Sequence, residues 1–157
     1  MTSLCCDVLS LLKGKTLVTA ESITGGGIGA ALTAVSGSSA VYKGGIISYT
    51  NAVKHQLLGV PGDILEQFGA VSEPVARAMA EGVRNVLQAD VAVSVTGLAG
   101  PGGDDYGNPV GTVFIGYSDE NGTIAKHCLF TGDRESIRNQ TIETALCLLL
   151  TQEFSDP

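Results

Sequence analysis

Apolar positions along the chain switch repeatedly between a helical period and a strand period. Residues 4–12 carry them at the spacing of a short amphipathic helix. Thr16-Leu-Val-Thr-Ala20 is a compact β-prone run of the kind that forms a buried strand. It passes through Glu21-Ser-Ile-Thr-Gly-Gly-Gly27 into an Ala/Leu-rich helical stretch ending near Val35. After Gly37-Ser-Ser39 a second β-prone run spans Tyr42 to Thr50. Residues 51–58 and 62–68 read as short helices punctuated by Pro61-Gly62. Ser72 is placed as an N-cap and Pro74 suits a first helical turn. Val75, Met79, Val83 and Val86 then give one apolar face up to about Leu87. Asp90 to Thr96 is apolar enough for a central strand, and a glycine-rich loop follows from Gly97 to Asn108. Val110–Tyr117 and Thr123–Phe130 form two strands around an Asn121-Gly122 turn, and Asp133 caps a last helix from about Arg134 to Gln152.

Early strands alternating with helices, then a late hairpin, predict a three-layer α/β/α domain. Its sheet is mixed and mostly parallel, with at least one antiparallel strand. Ligands collect at the carboxyl ends of strands in such sheets. The glycine-rich segments 24–27 and 97–103 both follow predicted strands and are expected to converge on one site.

Composition narrows the class. At 157 residues, 44% hydrophobic and without a low-complexity tract, the chain is expected to form one domain over 1–157. The net charge is -7 and the nine lysines and arginines are scattered, so no nucleic-acid partner is expected. No basic stretch precedes an apolar run at the N-terminus, and no apolar run approaches the roughly 20 residues that cross a membrane. Cys5, Cys6, Cys128 and Cys147 have no metal-ligand spacing and read as buried or free thiols in a reducing cytosol. A cytoplasmic protein without membrane contact is the expectation.

Four segments carry candidate chemistry. In Thr19-Ala-Glu-Ser-Ile-Thr-Gly-Gly-Gly27 a glycine-rich turn feeds a helix N-terminus, which favours an anion. Ser22 and Thr24 add hydroxyls, with Gly25 and Gly26 in the turn. The same pattern also serves as a tight turn without a ligand, and it is neither a P-loop nor G-x-G-x-x-G. Ser39, ahead of Tyr49 and Lys54, is a nucleophile only if a base such as a buried lysine takes its proton; spacing alone favours a helix cap and a surface lysine. Thr96-Gly-Leu-Ala-Gly-Pro-Gly-Gly103, with Thr96, Gly97 and Gly100, suggests close backbone approach to a ligand or else a surface loop. Arg134 and Arg138, one turn apart, suit a phosphate or carboxylate, although such pairs more often form a solvated face. His55 and His127 are isolated, and Asp104-Asp105 alone does not make a metal site.

Taken in order, these segments resemble one family, the C-terminal domain of the competence/damage-inducible protein CinA. The matching runs are Thr-Ala-Glu-Ser-x-Thr-Gly-Gly at 19–26, Gly-Ser-Ser-Ala at 37–40, Ser-Tyr-Thr-Asn at 48–51 with Lys54, and Gly-Ala-Val-Ser-Glu-Pro at 69–74. Gly-Leu-Ala-Gly-Pro-Gly-Gly at 97–103, Pro-Val-Gly-Thr-Val at 109–113 and Gly-Asp-Arg at 132–134 complete the set. The resemblance implies a five-stranded mixed sheet and, as in the free-standing members, a nicotinamide-nucleotide amidase. Such an enzyme converts nicotinamide mononucleotide to nicotinate mononucleotide and ammonia without metal or cofactor. It implies Ser39 as nucleophile, assisted by Tyr49 and Lys54, with Thr96 and either Arg134 or Arg138 at the site. It also implies a homo-oligomer, and the amidase unit alone, without the molybdopterin-binding-like domain of larger members. Position 23 is isoleucine where many members carry cysteine, from which a packing change is expected.

On that reading Lys54, held neutral by burial, takes the Ser39 proton directly or through the Tyr49 hydroxyl. The substrate phosphate is left to the 22–27 turn, the 97–103 loop or the arginines, which the sequence does not rank. A non-catalytic nucleotide-binding or regulatory module keeps the same fold without the chemistry, and an amidase for another amide is the third reading.

Overall fold

The computed structural model describes residues 1–153. α1 (Thr2–Leu11) leads into β1 (Leu17–Glu21), α2 (Gly27–Thr33), a 3₁₀ turn at Ser38–Ala40 and β2 (Tyr42–Ile47). Then come α3 (Asn51–Leu58), α4 (Gly62–Phe68), α5 (Glu73–Leu87), β3 (Val91–Gly97), β4 (Thr112–Asp119), β5 (Gly122–Leu129) and α6 (Arg134–Thr151). The strands make one five-stranded sheet in the order β2-β1-β3-β4-β5. β1 pairs in parallel with β2 and β3, while β4 pairs antiparallel with β3 and β5. Only β4 therefore runs against the others, which is the mixed sheet the sequence predicts.

β1 and β3 are buried along nearly their whole length because both sheet faces are covered. On one face Leu17, Val93, Val95, Val113 and Ile115 pack with α1, α2 and α6 residues such as Val8, Ile28, Leu32, Ile137 and Leu146. On the other, Val18, Ala20 and Ala92 meet Leu58 of α3, Leu65 of α4 and Val75, Met79 and Val83 of α5. Each such fully buried aliphatic side chain contributes about 1.5–3 kcal/mol. Val86, read as part of the α5 apolar face, is 55% exposed, and the partly buried Leu87 carries that face beyond Val83.

The helix ends follow local chemistry. The Thr50 hydroxyl accepts from Val53 N, and Gly59 closes α3 at φ 69°. Asp133 caps α6 by accepting from Ser136 N at 2.9 Å. Ser72 holds the N-cap position of α5 but makes no cap hydrogen bond; its hydroxyl donates back to Gly69 O at 2.9 Å.

α5 lies against β4 at Gly116, where a Cβ would collide with Ala76 O and Ser94 Oγ. Those two atoms already form a hydrogen bond of 2.6 Å that stitches α5 to β3. Gly116→Ala is expected to cost about 1–3 kcal/mol by overpacking. A lower urea midpoint at unchanged slope would show it, and an unchanged midpoint would refute it.

Candidate active site

The carboxyl ends of β1, β2 and β3 open on a cleft of about 300 Å³ lined by Ser22, Ile23, Tyr49, Lys54, Thr96, Gly97 and Arg134, among others. Ser22 follows β1 directly. Lys54 comes from the first turn of α3 and reaches inward, so that it is only 1% exposed. Its Nζ donates to Ser48 O at 2.7 Å, to Tyr49 O at 3.3 Å and to Ser22 Oγ at 2.9 Å. Burial pulls the Lys54 ammonium down from its usual range to about 8.

The arrangement has a chemical consequence. The two carbonyls can only accept, so they fix two of the lysine N–H bonds. The third tetrahedral position faces Ser22 Oγ. A proton there donates to the serine; once that proton is lost, a lone pair takes its place, able to accept the serine proton.

The expected partner, Ser39, is elsewhere. It lies exposed in the 3₁₀ turn before β2, while Lys54 lies beyond the other end of that strand. Six strand residues separate the two ends, roughly 20 Å. Pairing of Ser39 with Lys54 is thus replaced by pairing of Ser22 with Lys54. Ser22 was read as substrate-binding. The signal that picks it out is position: it follows a strand, at the sheet edge where ligands collect, whereas Ser39 precedes one.

The Gly-rich turn does not face the cleft as an anion cradle. Thr24 is buried and its hydroxyl donates to Glu21 Oε1 at 2.6 Å. The Ile28 and Gly29 N–H groups at the start of α2 also donate to the Glu21 carboxylate, at 2.8 and 3.0 Å. Gly25 and Gly26 serve the turn itself, with φ of 59° and 101°, a region open to glycine. Arg138 turns toward the same segment, donating from Nε to Ile23 O at 3.0 Å and from Nη2 to Thr24 O at 3.1 Å.

Arg134, in contrast, stands at the cleft mouth. It donates from Nη1 to Gly100 O at 2.8 Å and from Nη2 to the Tyr49 hydroxyl at 3.2 Å. Tyr49 is 59% exposed, and its hydroxyl meets Arg134 while Lys54 contacts Ser22 directly. Thr96 lines the cleft, yet its hydroxyl donates to Ala70 O at 2.8 Å, leaving it acceptor capacity only. Gly97 and Gly100 supply backbone to the wall. The roof, residues 97–108, is tied down by the Tyr106 hydroxyl donating to Glu66 O at 2.7 Å and by Asn108 Nδ2 donating to Val71 O at 3.1 Å. Against desolvation, which raises it, the Asp104 carboxyl is held below the usual range by the Asn108 side-chain amide and by the Asn108 and Tyr106 backbone N–H groups, all of which donate to it and commit it to the loop. Among the described residues no Asp or Glu lines the cleft, although the chain carries sixteen of them. Among the described residues no group of three or more His, Cys, Asp or Glu is placed to hold a metal ion, and no helix is long and apolar enough to cross a membrane.

A doubly covered mixed sheet with a lysine-held serine in an open cleft at its strand ends defines a three-layer α/β/α domain. Over residues 2–152 the chain matches the CinA C-terminal domain, and it belongs to that family. It is 49% identical over 140 residues to the nicotinamide-nucleotide amidohydrolase PncC of Enterobacter agglomerans, covering 85% of each chain. It is 52% identical over 149 residues to a CinA-like protein of Parasynechococcus marenigrum, where it covers 92% of this chain and 35% of the relative. The chain thus spans about a third of the length of that CinA-like relative. Among solved structures, the competence damage-inducible protein A of Klebsiella pneumoniae superposes with a TM-score of 0.94 at 34% identity, covering 96% of this chain and 95% of that one. The competence/damage inducible protein CihA of Agrobacterium tumefaciens gives 0.91 at 40% identity, covering 96% and 93%.

Proposed function

We propose that this chain hydrolyses the carboxamide of nicotinamide mononucleotide, giving nicotinate mononucleotide and ammonia, with Ser22 as nucleophile and Lys54 as its base. The observation that carries the reading is the buried Lys54 Nζ at 2.9 Å from Ser22 Oγ in an open cleft. The relative named as a nicotinamide-nucleotide amidohydrolase, similar over most of both chains, supports the substrate.

Neutral Lys54 takes the Ser22 proton as Oγ attacks the carboxamide carbon. Backbone N–H groups of the cleft wall, around Ile23 and Ala99–Gly100, hold the developing oxyanion, that of Leu98 being spent on Thr112 O; one well-placed donor contributes about 3–4 kcal/mol to such a step. The C–N bond then breaks, and the leaving nitrogen takes the proton from the Lys54 ammonium and departs as ammonia. Lys54 next deprotonates a water that attacks the Ser22 ester. The ester C–O bond breaks, Ser22 regains its proton, and the acid product ionises.

Arg134 is the phosphate-side residue on this reading: it is cationic, exposed at the mouth, and among the described residues no carboxylate lines the cleft to compete for it. Arg134→Ala is expected to raise KM about tenfold with a smaller effect on kcat, since a contact held equally in ground and transition states affects binding. An unchanged KM would remove Arg134 from substrate contact.

The primary test is ammonia release from the purified protein given nicotinamide mononucleotide, with and without EDTA. Release that persists in EDTA is expected. No release from folded protein that still binds the nucleotide would sink the amidase reading and leave a binding module.

A further inference from the structure

We propose that Glu21 is a positioning residue for Ser22, acting as an internal anion that fills the start of α2 and sets the turn carrying the serine. The inference rests on Ser22 being the nucleophile.

Glu21 is the residue before Ser22 and is 2% exposed. Its carboxylate gathers four donors from three elements. Oε1 accepts from Thr24 Oγ1 at 2.6 Å and Ile28 N at 2.8 Å, and Oε2 accepts from Thr19 Oγ1 at 3.1 Å and Gly29 N at 3.0 Å. Thr19 Oγ1 spends its one proton on Glu21, so at 2.7 Å it accepts from the Tyr42 hydroxyl. The chain of donors therefore runs from β2 through β1 to the turn.

Packing around this cluster leaves no slack. A Cβ at Gly29 would stand 2.6 Å from the Tyr42 hydroxyl and 3.5 Å from Glu21 Oε2, and one at Gly45 would stand 2.8 Å from the Tyr42 hydroxyl. Arg138 holds the same turn from the opposite side through the Ile23 and Thr24 carbonyls. Glu21 thus takes the Thr24 hydroxyl and the first N–H groups of α2 while Arg138 takes the Ile23 and Thr24 carbonyls, and Ser22 opens the turn they hold. Ser22 Oγ must meet the fixed third position of Lys54 Nζ, so a displacement of about 1 Å in this turn carries a loss on the order of 100-fold.

The test uses three variants and two readouts. Glu21→Gln puts an amide N–H₂ against N–H or O–H donors, and Thr24→Val removes one donor while keeping the bulk; Thr24→Ser restores the hydroxyl. The first readout is steady-state hydrolysis of nicotinamide mononucleotide across pH. The second is the rate at which phenylmethylsulfonyl fluoride labels Ser22: the serine oxygen bonds to sulfur, fluoride leaves, and Lys54 takes the proton. Glu21→Gln and Thr24→Val are expected to lower kcat and the labelling rate together, by about 10- to 100-fold. KM should stay within about twofold, the acid limb of the pH profile should not move, and Thr24→Ser should recover most of the loss. Wild-type labelling and kcat in a folded Thr24→Val or Glu21→Gln would overturn the proposal. So would a rise in KM alone, which marks a substrate contact, or a shifted acid limb, which marks a charge effect on Lys54. If wild-type protein is labelled but does not release ammonia, the substrate reading fails and the labelling rates alone decide. If the wild-type serine is not labelled at all, both readings fall.

Discussion

Ser22→Ala is expected to abolish ammonia release, by at least about 1,000-fold in kcat, while the protein keeps its circular dichroism and its thermal midpoint. A nucleophile that forms a covalent intermediate has no substitute once its oxygen is gone, and what activity remains comes from binding and the oxyanion donors. Ser22 makes no core contact that alanine would lose, because its hydroxyl is committed to the Lys54 contact. Ser39→Ala is the control: its side chain is exposed and remote from the cleft, so activity within about twofold of wild type is expected. The opposite pattern, an inactive Ser39→Ala beside an active Ser22→Ala, would reverse the assignment.

Lys54→Met is the second large effect, again at least about 1,000-fold in kcat, with an accompanying signature in pH. A base whose conjugate acid titrates at about 8 leaves roughly a tenth of the enzyme competent at pH 7. Wild-type kcat/KM should therefore climb through an acid limb near 8 and level off above it. The same group is linked to folding. Its ordinary pKa of 10.5 falls to about 8 in the folded chain. Between those values the unfolded chain holds a proton that the folded chain does not, so stability contributed through Lys54 rises with pH across that window and is flat below it. Methionine fills a similar volume without a titrating group, so the rise from about pH 8 to 10.5 should vanish in the variant. Urea titrations at pH 8 and 10 for both proteins measure it; an equal rise in both would mean that Lys54 is not the group responsible.

The elements were legible because their signals were local. The β4–β5 hairpin, which turns at Glu120-Asn121, one residue before the expected Asn121-Gly122, the Asp133 helix start and the buried β3 run all follow from neighbouring residues, and they place the cleft at the strand ends. Of the residues named from the sequence, Ser22, Tyr49, Lys54, Thr96, Gly97, Gly100 and Arg134 meet in the cleft, and the serine beside Lys54 is Ser22, not Ser39. Gly-Ser-Ser before a strand and Glu-Ser after one are equally good serine contexts until strand direction assigns them to opposite ends of the sheet. Burial of Lys54 was not legible either, because His55, Gln56 and Leu57 beside it are solvent-exposed and the helix is polar on average. The lysine is drawn in by the carbonyls of Ser48 and Tyr49, a tertiary cause with no trace in hydrophobic periodicity. The Gly-rich turn misled for a related reason: the helix start it exposes on paper is filled by Glu21, whose reach across the turn no spacing rule reports.

The roof of the cleft has a mechanical allegiance that differs from its place in the chain. Residues 97–108 issue from the central sheet, but Tyr106 lies over Gly69, where even a Cβ would strike its ring, and holds the Glu66 carbonyl, while Asn108 holds that of Val71. The roof is therefore moored to the junction of α4 and α5, as a shutter hung from the opposite wall.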